Sequence, residues 1–530
     1  MTQPLTDAQL TGGHGGQGSQ EASFSRLLQK DVDYVPLVLS DPDKAFSVIS
    51  AAMDQGIDDP SDTPDDQENP YVPAGYTYFG QLVDHDLTFD TRSTLDNITP
   101  GLSSFPDNER TPRLDLDCLY GEGPKSSAFL YDEDGRLLTN PDKPFDLPRA
   151  ATPFTPGDPS SHRAIIGDPR NDENSIVCQV QLAFIKFHNK MIDHFKGHVA
   201  PGALFATAQR EVRFTYQKII VTDFLKRIVQ KKVYDDFVHS YQTLGTPAFK
   251  LYKPGPARNA LPLEFSGAAY RFGHSQIRNA YRLNAGFQRR IFDGDDNSAE
   301  SLVGFGDLPF THKIDWTLFA TNALLPGVKA DNASTKADGT KIADNPGRLQ
   351  FAYKIDTSLV DPLAHLPPRI GGVPSDAPFA SLAARNLKRG YNFSLPSGQD
   401  FAKALGVNKG PPLLIGDSLL PFTKMGLPGA DAEALTLHTP LWVYILAEAQ
   451  ACLAKPNGTF ATGADGKFIK DANQGTQLGP VGGRILLEVF FGLLDSDAGS
   501  YFQDKSWNPV AKPGAATLTM FDLLSFAAAI

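Results

Sequence analysis

Residues 176–195 read IVCQVQLAFIKFHNKMIDHF. Ile176, Val177, Val180, Phe184, Phe187, Met191 and Phe195 recur at three-to-four spacing, which predicts a long helix with one apolar face. Three further segments carry the same period: 207–230 (TAQREVRFTYQKIIVTDFLKRIVQ), 440–453 (PLWVYILAEAQACL) and 481–495 (VGGRILLEVFFGLLD). Alternating strand patterns are few, around 127–138 and 248–253. The fold class expected is mostly α with few short strands.

Composition narrows the function. Forty-nine Lys+Arg against 61 Asp+Glu give a net charge of −12, and an acidic surface repels a phosphate backbone, which argues against nucleic acid as a partner. No run approaches the roughly 18–20 apolar residues of a membrane span. The first twenty residues, MTQPLTDAQLTGGHGGQGSQ, lack the basic and apolar regions of a signal peptide. A cytoplasmic protein, or one exported by another route, is therefore expected. Cys118, Cys178 and Cys452 are too few and too scattered for a disulfide framework or a CxxC metal pair. Gly (46) and Pro (41) exceed the roughly 12% of an average chain, and Phe (35) is plentiful. Short helices, irregular connections and an aromatic core would give that profile. Residues 1–23 read as a disordered tail, and 328–346 as a polar surface insertion. Length alone would allow two to four domains, yet no long linker appears after residue 24.

Four polar clusters interrupt apolar surroundings. In Gly80-Gln81-Leu82-Val83-Asp84-His85-Asp86 a helix would put Gln81 and His85 on one face, Asp84 beside them and Asp86 about 100° away. A capped surface helix with scattered polar residues would look the same. Thr111-Pro112-Arg113-Leu114-Asp115-Leu116-Asp117 offers alternating oxygen ligands suited to Ca²⁺, or simply a turn with solvated carboxylates. Gly167-Asp168-Pro169-Arg170-Asn171-Asp172-Glu173 precedes the long helix, where acidic residues also serve as ordinary caps. Tyr270-Arg271-Phe272-Gly273-His274-Ser275 lies in an apolar segment read as a helix. Gly273 would let a flat ligand approach there, though a histidine on an apolar face is equally a core residue.

Taken together, YFGQLVDHDLTFD, RTPRLDLDCLYG, GDPRNDEN, YRFGHSQIRNAYRL and RNLKRGYNFSLPSGQ occur in this order. They resemble the animal-type haem peroxidases, the peroxidase–cyclooxygenase superfamily that includes myeloperoxidase and lactoperoxidase. The resemblance runs from about residue 24 to the C-terminus and includes LGPVGGRILLEVFFGLL. It implies one large helical domain, residues 24–530, around a buried haem b, and a compact, bacterial-like member without the disulfides of the secreted enzymes.

Residue by residue, the resemblance makes His85 the distal acid–base group, Arg170 the distal arginine and Gln81 a lining residue of the small-substrate position. His274 matches the proximal iron ligand and Asn386 its hydrogen-bond partner. Arg389 and Arg271 are matched to the haem propionates. Asp84 and Glu173 match the carboxylates that form ester bonds to haem methyls. Asn174 stands where some relatives carry a Met that makes a third link, so that link is not expected. Asp86, Thr111, the Arg113 carbonyl, Asp115 and Asp117 would hold Ca²⁺ and thereby steady the helix bearing His85. The activity implied is reduction of hydrogen peroxide with oxidation of small donors, either halide or thiocyanate, or phenols and aromatic amines. Two alternatives remain: a fatty-acid dioxygenase of the same superfamily, and a haem- or Ca²⁺-binding protein without turnover. Against the first, the stretch His312-Lys313-Ile314-Asp315-Trp316 lacks the tyrosine of a Tyr-x-Trp-His context.

Overall fold

The computed structural model describes residues 22–54, 67–89, 107–150, 162–253, 260–293, 301–322, 347–377, 379–407, 420–451 and 474–529. Residues 1–21, the 328–346 insertion and Cys452 lie outside them. The main helices are α1 (Pro42–Met53), α2 (Gly75–Leu87), α3 (Ser175–Phe195), α4 (Leu204–Ile219), α5 (Lys231–Leu244), α6 (Leu382–Asn392), α7 (Leu441–Gln450) and α8 (Pro480–Ser496). Among the described residues, six short strands form three separate antiparallel pairs: Ala22–Ser23 with Asp107–Asn108, Glu68–Pro73 with Phe351–Tyr353, and Ala280–Asn284 with Phe287–Arg290. The mostly α class is observed. Among the described residues, no helix is long and apolar enough to cross a membrane.

α3 is the helix its period predicts. The Asn174 side chain caps it by accepting from the amides of Ile176 and Val177 at 3.1 and 2.9 Å. Ile176, Val177, Val180, Phe184, Phe187 and Met191 are buried, while Phe195 is only partly so. The Phe79 ring of α2 packs on Phe184 of α3, Tyr216 of α4 and Phe224, with centroids 6.4, 6.0 and 5.5 Å apart. Rings at this spacing add to the apolar area they remove from water. The expected aromatic core is thus present, centred on α2, α3 and α4.

Segment 207–230 is helical but not uniformly so. α4 gives way to a π-helical turn, Ile220–Phe224, before Leu225–Ile228 resumes. The buried Asp223 carboxylate of that turn accepts from Tyr76, from Arg227 Nε at 2.7 Å and from the Met520 amide at 3.0 Å. Segments 440–453 and 481–495 become α7 and α8. The orphan amides that start α8 are satisfied by Glu448 of α7, which accepts from Val481 and Gly482 at 3.0 Å.

Both predicted strands are corrected. Residues 128–130 form a 3-10 turn, and only Tyr131 and Leu137 pair, as an isolated bridge around a turn closed by Asp132 and Arg136. Thr246–Ala248 is also a 3-10 turn. The amides of Lys250, Leu251 and Tyr252 donate to the buried Glu488 carboxylate at 2.7–3.0 Å instead of to a neighbouring strand. A carboxylate thus replaces the sheet partner that alternation alone would demand. Two of the residues assigned to the tail, Ala22 and Ser23, pair with Asn108 and Asp107.

Candidate functional site

α2 and the 3-10 helix Ala269–Gln276 form opposing walls of one cleft, joined where the Tyr270 hydroxyl donates to the Gly80 carbonyl at 3.2 Å. The expectation of a helix at 270–275 holds only in this tighter form. The cleft encloses about 1200 Å³, its open mouth included. Gln81, Asp84, His85, Glu173, Arg271 and His274 all line it. Four separate sequence clusters therefore contribute to two places: three to this cleft, and the 111–117 loop to the neighbouring carboxylate cluster.

His85 is 5% exposed, and its Nδ1 lies 2.7 Å from Asn171 Oδ1. A carbonyl oxygen can only accept, so Nδ1 carries the hydrogen and Nε2 keeps a lone pair for the cleft. The Asn171 amide is itself fixed by donating to Gln181 Oε1 at 3.0 Å. Burial, with the Arg170 charge nearby, lowers the His85 pKa to about 4, so the ring is neutral near pH 7. Across the cleft, His274 Nδ1 lies 2.8 Å from Asn386 Nδ2, while the buried Asn386 Oδ1 has no partner. A half-turn of the amide places Oδ1 against an Nδ1 hydrogen and frees the His274 Nε2 lone pair. Burial and the charges of Arg271 and Arg389 lower the His274 pKa to about 3.

Gln81 is held at both amide atoms: Nε2 donates to Glu173 Oε1 at 3.2 Å, and Oε1 accepts from Asn174 at 3.3 Å. Burial raises the Glu173 pKa. Arg170 is beside His85 but does not line the cleft. Its Nη2 donates to the carbonyls of His85 and Thr88 at 3.1 and 2.6 Å, and Nε and Nη2 bind Asp168. Asp168 is fully buried and also accepts from Arg110 at 2.5 Å, so the two cations hold its carboxyl well below the usual range. Arg389 does not line the cleft either; Arg385, one turn earlier on α6, does.

Asp86, Asp115 and Asp117 bring one carboxylate oxygen each within 4.8 Å of one another. Asp86 is wholly buried, and its Oδ1 has no hydrogen-bond partner, while Tyr216 donates to Oδ2 at 3.1 Å. Mutual repulsion and burial raise the pKa of both Asp86 and Asp117. Thr111 Oγ1 is 2.8 Å from Asp115. Leu114 and Leu116, flanking Asp115, adopt φ of 55° and 62°, a strained choice for leucine. The arrangement suits a hard divalent cation. The Arg113 carbonyl has only a 3.5 Å contact from Gln217.

The family model for animal haem peroxidases matches residues 99–301. Over that stretch the chain carries the sequence pattern of an animal haem peroxidase. The matched stretch includes Arg170, Glu173 and His274 and begins after His85. Thyroid peroxidase of Rattus norvegicus is 24% identical over 326 residues, 58% of this chain and 31% of that protein. A peroxidase-like protein of Margaritifera margaritifera is 28% identical over 183 residues, covering 33% of this chain and 22% of its own. The matches therefore span a third or less of these relatives. In structure, peroxidase A of Dictyostelium discoideum aligns over 99% of this chain and 97% of its own, with TM-score 0.58 and 15% identity. A fatty acid α-dioxygenase of Arabidopsis thaliana aligns over 91% and 73%, with TM-score 0.51 and 16% identity.

The haem that the matched family implies fits the residues present. The cleft is broad, an added Cβ at Gly273 would meet nothing within 4 Å, and the orphaned Asn386 Oδ1 awaits an Nδ1 hydrogen. Sequence reasoning missed Asn171, Gln181, Asp168 and Arg385. Asn171 and Asp168 sit inside a quoted motif, and Asn174 carries the signal of a helix cap. Gln181 has no local signal, because it lies in the apolar helix pattern.

Proposed function

We propose that this chain is one haem peroxidase domain, residues 24–530, which reduces hydrogen peroxide and oxidises small donors. The observation that supports it best is the matched pair of histidines on one cleft, each with Nδ1 against an asparagine. A binding protein would need His274 alone. The fold is shared with a dioxygenase as well as a peroxidase, so the reading rests on the site. His312 and Trp316 are buried and neither lines the cleft.

His274, oriented by Asn386, would hold the iron of haem b; Asp84 and Glu173 would hold the macrocycle as esters. Arg271 and Arg385 line the cleft where propionates need cations, with Arg389 adding charge from behind. Bound there, haem supplies a redox-active iron for peroxide chemistry. His85, neutral and with Nε2 free, takes the proton from one peroxide oxygen and returns it to the leaving oxygen. Asn171 keeps the ring in the tautomer this requires. Arg170 acts by pinning the carbonyls of His85 and Thr88, and by its charge, rather than by touching the cleft. Gln81 borders the space left for a small donor. Asp86, Asp115, Asp117, Thr111 and the Arg113 carbonyl would hold Ca²⁺ behind α2.

Stopped-flow spectroscopy of the haem-loaded protein with peroxide tests this. His85→Ala should retain haem and lose peroxide cleavage by roughly 10²–10⁴-fold. A wild-type protein inert to peroxide would favour the binding-protein alternative, and fatty-acid oxygenation by it would favour the dioxygenase.

A further inference from the structure

A second cavity lies apart from the cleft, enclosing about 1070 Å³ with its open mouth. Its walls are aromatic. Tyr241 of α5 packs on Phe491 of α8 and on Phe502, with centroids 5.2 and 5.7 Å apart, and Tyr501 packs on Phe502 at 4.9 Å. Tyr234 and Tyr241 use their hydroxyls on the Val221 carbonyl and on Asp495. The Tyr501 hydroxyl has no hydrogen-bond partner among the described residues.

The cavity also carries unneutralised positive charge. Lys218 and Lys226 both line it. Lys218 Nζ donates to the Ala515 carbonyl at 2.6 Å, and Lys226 Nζ lies 5.8 Å from the Tyr234 ring centroid. Neither ammonium has a carboxylate partner among the described residues, and the one lining acid, Asp235, is paired with Lys231. Stacking faces, a spare phenol and two ammonium groups fit a flat ring bearing one negative charge.

The floor of this cavity is the π-helical turn. Val221 and Thr222 line it, while Phe224 of the same turn lines the cleft. Between them, Asp223 holds the cleft residue Tyr76. π-turns within helices are frequent at functional sites, and this one touches two cavities at once.

We propose that the cavity is a binding site for a small aromatic carboxylate, coupled to the cleft through the turn Ile220–Phe224. Isothermal titration calorimetry of the haem-loaded protein with 2-naphthoate tests it, with neutral 2-naphthylmethanol as the control. One molecule of 2-naphthoate should bind, with the neutral analogue weaker. Lys226→Glu, at an exposed position, should weaken binding roughly tenfold, about 1.4 kcal/mol. Tyr501→Phe should weaken it less, and Gln81→Ala in the cleft should leave it unchanged. Saturating 2-naphthoate should also shift the haem absorption of the wild type but not of Lys226→Glu at the same concentration. Absence of binding, indifference to Lys226→Glu, or loss of binding in Gln81→Ala each overturns the proposal. None of these outcomes depends on peroxide turnover, so failure here is distinct from failure of the peroxidase reading.

Discussion

At the scale of single residues, the decisive groups are amides and buried charges that orient the titratable side chains. Asn171 has one acceptor aimed at His85 Nδ1. Asn171→Ala should leave haem content intact and slow peroxide cleavage by about 10–100-fold, the usual cost of losing an orienting partner, as read by stopped flow. Asp168 gives a pH signature. Its carboxyl is held below the usual range by Arg170 and Arg110, so the folded state binds that proton less readily than the unfolded state does. The stability this supplies is fully present above about pH 4 and is lost as pH falls further. Asp168→Asn should therefore cost about 3 kcal/mol at pH 7, because buried Arg110 and part-buried Arg170 lose a shared, fully buried counter-charge. The gap from wild type should narrow below about pH 4 in urea titrations. The motif GDPRNDEN pointed to this neighbourhood through Arg170 and Glu173. It could not show that Asp168 and Asn171 turn back toward α2, because that depends on a 3-10 turn, Pro169–Asp172, set by tertiary packing.

At the scale of elements, that same turn is clamped from outside. The amides of Gly304 and Phe305 donate to the carbonyls of Glu173 and Asp172 at 2.8 and 2.7 Å. A Cβ at Gly304 would fall 1.9 Å from the Asp172 carbonyl oxygen, so no side chain fits without moving the backbone that carries Arg170 and Asn171. Gly304→Ala should destabilise the protein by about 2 kcal/mol in thermal or denaturant unfolding. It should also lower the peroxide rate, although residue 304 does not line the cleft. The helices α3, α7 and α8 were legible because their apolar period is sustained over many turns. The 127–138 and 248–253 segments were misread because alternation reports which residues are half-buried, not which partner satisfies the backbone. At 250–252 that partner is the side chain of Glu488, more than two hundred residues away.

At the scale of the molecule, the acidic cluster ties distant parts of the chain together. Asp86 lies in the last turn of α2, Asp115 in the loop before the short helix Asp117–Tyr120, which Asp117 opens, and Tyr216 reaches Asp86 from α4. Three carboxylates this close repel one another without a cation. Ca²⁺ should raise the unfolding midpoint of the wild type, with a gain of about 2.7 kcal/mol at a concentration a hundred times its dissociation constant. Asp117→Ala should abolish most of that gain in a thermal-shift titration. Chelation should slow peroxide cleavage in the wild type, since the ion would sit beside the residue next to His85.

The sequence by itself determined the helical class, the resemblance to the haem peroxidases and most of the positions that meet at the cleft, because periodicity and ordered motifs are properties of the chain. It also brought out the cluster of oxygen ligands at 111–117. Only the tertiary structure decided where each side chain goes: that Arg170 faces Asp168 and two carbonyls, that Arg385 rather than Arg389 lines the cleft, and that Asn171 fixes the tautomer of His85. Those outcomes depend on which buried polar groups find each other when separate segments pack. Each buried donor or acceptor left unmatched carries a desolvation cost, and that matching cannot be read from neighbours in sequence.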